Sequence, residues 1–458
     1  MCAQEIELKL RLAPEEARRL RRDRTVHRLK RGRAGNQRLI AVYFDSPALA
    51  LRDARIALRL RQEGARRVQT VKCPIGPASG GMQRRLEVEA PIAGREPDLS
   101  LIDDAQVAAR VRAALGGAAP VPIFSTDVKR TTWLLAVGKS TVELALDTGE
   151  IASERAGATC VPIAEAELEL KSGDPADLLA FADDLRQRIA FRIGGESKAA
   201  RGYALHLGET PTPTKAAEPA LDPAMSAREA LGVILSDGVA QLLANEAVVE
   251  DGTDPEGVHQ ARVAVRRTRA ALSAFKPVIE RGPRKPLARK LRWLQQALGP
   301  ARDWDVFLEE TLGPVLKAAP ESEGLRGLEK RSAKRRTKGY KQALKAIHSK
   351  RYQRLLIALE GWVFTDNPDA ERRAVGGFAQ DLLEARYRAV LTDGGADPTA
   401  LPTEALHRLR IEIKKLRYAV EFFRSLYAPD EVAGFLQAVK KLQDCLGGLN
   451  DAGVAHRL

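Results

Sequence analysis

The chain is 458 residues long, 44% hydrophobic and 29% charged, with 74 Lys+Arg against 60 Asp+Glu and a formal charge of +14. That length and composition predict a soluble protein of two or three domains, each with its own core, and exclude a disordered chain. No run of about 18 or more apolar residues reads as a membrane span. The cysteines (Cys2, Cys73, Cys160, Cys445) lack CxxC spacing and the N-terminus, MCAQEIELKLRL, lacks a signal-peptide core, so a reducing, cytoplasmic location is expected.

Residues 1–207 read as a strand-rich domain. IELKLRL, AVYF, IALRLR, RVQTVK, LEVEA, TVELALD and EAELELK alternate polar and apolar positions between Gly and Pro breaks, with helices near 103–115 and 175–190. Residues 208–224, GETPTPTKAAEPALDPA, form an aperiodic linker. From 225 to 458 apolar residues recur at helical spacing. The net charge is split evenly between the two parts, but in the second it is clustered: residues 258–292 hold 11 Lys+Arg and one acid, and residues 326–354 hold 12 and one. Such clusters favour a polyanionic partner. Aromatics are only 5%, few for a protein that stacks on bases, so nucleic acid is not the expected polyanion.

On the first strand Glu5, Glu7 and Lys9 share one face and Ile6, Leu8 and Leu10 the other. Taken alone, such an ExExK face is more often solvated than functional. Four further strands repeat the pattern: Arg59 and Arg61; Lys72; Glu143 and Asp147; Glu165, Glu167, Glu169 and Lys171. Closing these strands into a barrel places carboxylates on one wall and cations on the others. Hard oxygen ligands of this kind suit Mg²⁺ or Mn²⁺, and the cations suit phosphates bridged by that metal.

Taken in order, these segments make residues 3–205 resemble the CYTH family of triphosphate tunnel metalloenzymes. The motifs are ExExK, YFDSPALAL (43–51), ALRLRQEG (57–64), QTVK (69–72), RRLEVE with Glu87, VELALDTGE (142–150), AELELK (166–171) and ESKAARGY (196–203). The resemblance implies an eight-stranded antiparallel β tunnel with flanking helices that binds a linear triphosphate. It implies metal ligation by Glu5, Glu7, Glu167 and Glu169, with Asp147 as a further ligand. Lys9, Arg59, Arg61, Lys72, Arg130 and Lys198 would grip phosphates, and Glu5, Glu7, Lys9 and Lys72 would be catalytic. Ser46 stands where the family usually has threonine and Ala54 where glycine is common, and neither touches the charged set.

The helical half contains a gapless internal repeat, 258–306 against 406–454, at an offset of 148. His259, Arg262, Arg266 and Arg269 form one helical stripe, repeated as His407, Arg410, Lys414 and Arg417. Ala261, Val265, Thr268, Leu272 and Phe275 form the opposite, core-facing stripe, matched by Leu409, Ile413, Leu416, Val420 and Phe423. A basic stripe is usually a solvated face, but the duplication, the leading histidines and the scarcity of acids favour an anion groove. Residues 225–458 resemble the CHAD family, which implies an all-α bundle in two halves that binds inorganic polyphosphate. The second copy stops seven residues after Asp451, which is expected either of a short C-terminal half-bundle or of a truncated sequence.

The whole is thus an α+β multidomain chain, expected to hydrolyse inorganic triphosphate and bind inorganic polyphosphate, with no membrane partner. Association with polyphosphate granules follows from that reading. Thiamine-triphosphate hydrolysis, adenylate cyclisation and a non-catalytic polyphosphate sensor are the alternatives.

Overall fold

The computed structural model describes residues 3–74, 80–153, 155, 159–279, 281–364, 373–395 and 401–445; the side chains of 3–5, 83–84, 281–283 and 403 fall outside the description. The chain divides into two compact units, Met1–Pro211 and Thr212–Leu458.

In the first unit nine antiparallel strands form one sheet: β1 (Ala3–Leu12), β2 (Lys30–Asp45), β3 (Ala57–Glu63), β4 (Arg66–Pro74), β5 (Met82–Pro91), β6 (Val121–Val137), β7 (Ser140–Ala152), β8 (Cys160–Ser172) and β9 (Phe191–Ile193). Their order is β5-β4-β3-β2-β6-β7-β8-β1-β9, and β5 also pairs with β1. That join covers only Ala3–Leu8 against Met82–Glu87; over Leu10–Leu12 the partner of β1 is β9. The expected eight-stranded closed tunnel is therefore a nine-stranded sheet whose ends meet along part of β1. The 17-residue β6 was not among the predicted strands, although its Val, Ile, Phe, Thr and Trp content favours extended chain.

β1 shows why both faces of this sheet are committed. Leu8 and Leu10 are fully buried on one face, while Glu7 and Lys9, on the other, are only 3% and 5% exposed. The polar face turns into the tunnel instead of toward solvent. The apolar outer face is covered by helices, among them α4 (Ala105–Leu115), whose Val107, Val111 and Leu115 pack on Leu58, Val71 and Val88. Besides α4 and α5 (Pro175–Leu185), α1 (Pro14–Arg21), α2 (Arg24–Leu29), α3 (Ala50–Asp53) and α6 (Lys198–Leu207) interrupt the strands. Most of these are too short to show a clear helical period.

Two of the sequence motifs lock α6 in place. Asp45, buried at the end of β2, accepts hydrogen bonds from the backbone N–H of Ser46, Leu51 and Arg52 at 2.7–2.9 Å and from the Tyr203 hydroxyl at 2.7 Å. Gly202 lets α6 lie directly on β6, since a Cβ there would sit 2.1 Å from the Phe124 ring. Phe124 in turn stacks on Tyr43 at 4.5 Å and meets Tyr203 edge-on at 5.2 Å. The first residue of α6, Lys198, is thereby fixed over the tunnel.

The second unit is helical: α7 (Ala227–Asp251), α8 (Pro255–Ala274), α9 (Arg281–Val306), a π-turn at Phe307–Leu312, α10 (Gly313–Ala318), α11 (Glu323–Ile347), α12 (Lys350–Phe364), α13 (Val375–Gly394), α14 (Thr403–Phe423) and α15 (Pro429–Cys445). By length and composition α7 could cross a membrane, but 72% of its most apolar window is buried among the other helices. Ser226 and Glu229 close its N-terminus with a capping box. The preceding segment is held to this unit by paired hydrogen bonds between Thr214 and Asn245 and by Leu221 with Ser425.

The repeat is visible in space. Phe275 and Phe423, equivalent positions of the two copies, approach to 5.7 Å and share Phe378. The copies are not equally covered, however. Leu287 and Leu294 of α9 are buried, whereas their equivalents on α15, Phe435 and Leu442, are 37% and 42% exposed. α11 packs along α9, and among the described residues α15 packs chiefly on α14.

Candidate active site

The tunnel encloses a cavity of about 700 Å³, lined by charged side chains from β1, β3–β8 and α6. Strand register builds it. Lys9 lies opposite Glu167 and Glu7 opposite Glu169 across β1 and β8, Asp147 opposite Glu165 across β7 and β8, and Arg130 opposite Asp147 across β6 and β7. Because side chains alternate, each pair in register faces the lumen together.

The centre of the acidic wall is Asp147, Glu165 and Glu167, whose oxygens lie within 4.8 Å of one another. Arg130 binds Asp147 through both oxygens, at 2.7 and 2.6 Å, and Glu167 at 2.6 Å. Lys198 reaches Asp147, Glu165 and Glu167 at 2.7, 2.5 and 2.9 Å. Arg201, one helical turn further along α6, binds Glu165 at 2.8 Å. Burial pushes the Glu167 carboxyl up, but Lys198, Arg130 and Lys9 outweigh it and hold it well below the usual carboxylate range. Asp147 is lowered in the same way, burial being overcome by Lys198 and Arg130. Burial disfavours charge on Lys198 too, yet Asp147, Glu165 and Glu167 hold it firmly protonated. Oxygen donors in this number and spacing fit a hard divalent cation.

The other predicted ligands are arranged around this trio. Glu7 forms an ion pair with Lys9 at 2.9 Å, and Lys9 stands 3.7 Å from Glu167, so it bridges β1 to the trio. Glu169 turns toward Lys171 at 2.6 Å; burial and the neighbouring Glu143 raise its carboxyl despite that lysine. The backbone of Glu5 is paired with Arg85, and its side chain lies outside the described residues.

Cations converge from the facing strands. Lys72 pairs with Glu87 at 3.1 Å, Arg61 with Glu89 at 3.1 Å, and Arg59 donates to the Tyr43 hydroxyl at 3.3 Å. Burial raises the Tyr43 phenol, but Arg59, Lys198 and Lys72 bring it below its ordinary value. The expectation that each wall carries one sign is thus modified. Glu87 and Glu89 sit among the cations of β3 and β4, and Lys9, Arg130 and Lys198 sit among the acids. Glu165, Arg201 and Arg85, the last 3.7 Å from Glu7, complete the network without a role assigned from sequence. Glu165 was legible, being in phase with Glu167 and Glu169; Arg201 follows Lys198 at the i+3 spacing of one helix face.

In the helical unit the predicted stripes lie along α8 and α14. Arg262 is 3.8 Å from Asp303, and Arg269 donates to Gln295, both partners being on α9. His259 is half-buried; burial and the cations Arg302, Arg266 and Arg262 lower its pKa against the pull of Glu256. Arg302 thus adds from α9 to the cationic field of the first stripe. In the second copy His407 is exposed and Arg410 and Lys414 are half-buried. Arg417 pairs with Glu421 at 3.3 Å, and Glu421 also accepts from Arg267 of the first copy at 2.7 Å. The repeat matches at Leu446, Gly447 and Asp451 lie outside the described residues.

Comparison with known proteins agrees with this division. The CYTH domain family matches residues 3–203 and the CHAD domain family residues 233–458. An uncharacterized protein of Mycobacterium tuberculosis is 30% identical over 449 residues, covering 92% of this chain and 81% of that protein. The inorganic triphosphatase of Haemophilus influenzae is 33% identical over 210 residues, 44% of this chain and 55% of that enzyme. The crystal structure of the CHAD domain from the plant Ricinus communis is similar at 32% identity, covering 54% of this chain and 83% of that one, with a TM-score of 0.48. With both families matched in sequence order and a homologue aligned along nearly the whole chain, this protein belongs to the CYTH–CHAD family.

Proposed function

We propose that the first unit hydrolyses inorganic triphosphate to pyrophosphate and phosphate with Mg²⁺ or Mn²⁺, and that the helical unit binds inorganic polyphosphate and recruits the enzyme to it in the cytoplasm. The observation that carries this reading is one cavity lined by Glu7, Glu167 and Glu169 together with Arg59, Arg61 and Lys72, in which Glu167 belongs to a trio of converging carboxylates with Asp147 and Glu165. A cavity of about 700 Å³ lined by both signs suits a small, highly charged ligand. The likeness to the Haemophilus influenzae inorganic triphosphatase over the tunnel unit supports the same substrate class.

The chain's own groups supply most of the mechanism. Arg59, Arg61 and Lys72 receive phosphate oxygens on one wall, and Arg130 and Lys198 on the other, holding the chain extended for in-line attack. Because Arg59, Arg61, Lys72 and Arg130 are preorganised by strand register, charge developing on the leaving pyrophosphate is stabilised with little rearrangement of those groups. Asp147, Glu165 and Glu167, with Glu7 beside Lys9, are the residues that would hold a divalent ion. When bound, that ion neutralises phosphate charge and orients the attacking water.

Phosphate release from triphosphate, ATP, thiamine triphosphate and long polyphosphate tests the reading. Triphosphate should be cleaved fastest, activity should vanish in EDTA, and Mg²⁺ or Mn²⁺ should restore it. Preference for thiamine triphosphate or ATP, or no hydrolysis at all, refutes the assignment to inorganic triphosphate.

A further inference from the structure

Lys198 is the first residue of α6, and its ammonium is packed among carboxylates. Nζ lies 2.7 Å from Asp147 Oδ2, 2.5 Å from Glu165 Oε1 and 2.9 Å from Glu167 Oε1, with 9% of the side chain exposed. These are the same three residues whose oxygens come within 4.8 Å of one another. Their remaining oxygens are held from behind: Arg130 takes Asp147 and Glu167, and Arg201 takes Glu165 Oε2. Three cations therefore balance three carboxylates in a buried, locally neutral cluster.

We infer that Lys198 is a tethered internal cation that competes with the divalent metal for the Asp147–Glu165–Glu167 carboxylates, so that metal binding drives its ammonium into the lumen, where a phosphate oxygen receives it. This rests on the metal-dependent triphosphate reading above. A dication placed on the same oxygens would stand within a few ångströms of the ammonium, and in a buried site that repulsion is weakly screened. The two cations cannot share the cluster, and the metal must displace a charge already well satisfied there.

The displaced ammonium has somewhere to go, because Lys198 lines the same cavity as Arg59, Lys72 and Tyr43. That wall is already cationic, so an ammonium released into it without a phosphate gains little and meets like charge. A bound triphosphate reverses this by offering oxygens to Lys198 in its displaced position. Metal and triphosphate thus favour the same position of one side chain, and each should strengthen binding of the other. Lys198 acts as a positioning residue: it keeps the metal site weak until the substrate that needs the metal arrives.

The test reads metal binding by the full chain with no phosphate present. By electron paramagnetic resonance of free Mn²⁺, Lys198→Met should bind Mn²⁺ about tenfold or more tightly than the wild type, the size of an ordinary coupling between sites. Lys198→Arg, which keeps the charge, should bind no more tightly than the wild type. Unchanged or weaker binding by Lys198→Met, or tighter binding by Lys198→Arg, overturns the inference. A measurement on the wild type guards against a misfolded variant. Reductive methylation of Lys198, followed by mass spectrometry, should accelerate on adding Mn²⁺ as the buried ammonium is released; protection or no change overturns the inference. Neither readout involves hydrolysis, so a chain that fails to cleave triphosphate would refute the proposed function while leaving this competition to stand or fall separately.

Discussion

Replacing Arg130 by Met removes the guanidinium that joins β6, β7 and β8 at the tunnel centre. Three charge-assisted hydrogen bonds disappear, at 2.7, 2.6 and 2.6 Å, and the wholly buried Asp147 loses its bidentate partner. Methionine preserves much of the stem packing, so the loss is chiefly electrostatic. Removing one partner from a buried ion pair costs about 3–5 kcal/mol, because the other charge is left without compensation. The sign of the pH dependence follows from the carboxyls. Asp147 and Glu167 both have folded pKa values below their unfolded ones, through Lys198 and Arg130 acting against burial. Their contribution to stability is therefore full above the unfolded pKa, about 4, and is lost as pH falls through the folded values. Without Arg130, Lys198 is left to oppose burial with less help and both carboxyls move upward, so the penalty should be largest at pH 7 and shrink toward pH 4 as they protonate. Hydrogen–deuterium exchange of β7 and β8 peptides in the full chain reads the tunnel unit separately from the helical one. A cost of 3–5 kcal/mol corresponds to exchange about two to three and a half powers of ten faster. A change below about 1 kcal/mol, or one equal at pH 7 and pH 4.5, would refute the claim that this guanidinium neutralises a buried acidic cluster.

Five other outcomes are expected. Glu7→Gln keeps the shape of a side chain that is 3% exposed but removes the charge beside Lys9, so triphosphate turnover should fall by orders of magnitude while far-UV circular dichroism is unchanged. Tyr203→Phe deletes the hydroxyl that donates to Asp45, and should destabilise the tunnel unit by about 1–3 kcal/mol in the same exchange assay. Asp237, on α7, has no hydrogen-bond partner for either oxygen among the described residues, and burial pushes its carboxyl up to about 6. Because that value exceeds the unfolded one of about 3.9, the group costs stability increasingly from pH 4 to 6 and fully above. Asp237→Asn should therefore raise the Tm of the helical unit at pH 7 and have little effect near pH 4. Replacing Arg262, Arg266 and Arg269 by Ala should weaken polyphosphate binding and flatten its salt dependence, the slope falling by roughly 0.7 for each phosphate no longer neutralised, with triphosphate turnover unchanged; the matching change at Arg410, Lys414 and Arg417 should act likewise. Long polyphosphate should also displace RNA of equal charge, and the opposite order would identify a nucleic-acid binder.

Much of this organisation is local and therefore legible in the chain. The alternation of Glu7 and Lys9 with Leu8 and Leu10 defines two faces whatever the fold, because successive side chains of a strand point opposite ways. The 148-residue offset of the repeat and the change from strand to helix period near residue 208 need no coordinates either. What the alternation leaves open is whether the charged face meets water or other charge. A residue at 3% exposure and one on an open sheet have the same neighbours in sequence. That choice was made by β5 meeting β1, a pairing between segments some 80 residues apart. The partners of Lys198 were equally hidden. It reaches Asp147, Glu165 and Glu167 only because Asp45 and Gly202 seat α6 on β6, and no local pattern encodes a helix docking on strands more than 30 residues away. The repeat makes the same point from the opposite direction. Leu294 and Leu442 occupy matched positions in similar helices, yet one is buried and the other is 42% exposed. Hydrophobic pattern states which face of a helix requires cover; whether cover arrives depends on the next helix, and it is α9 that α11 lies along.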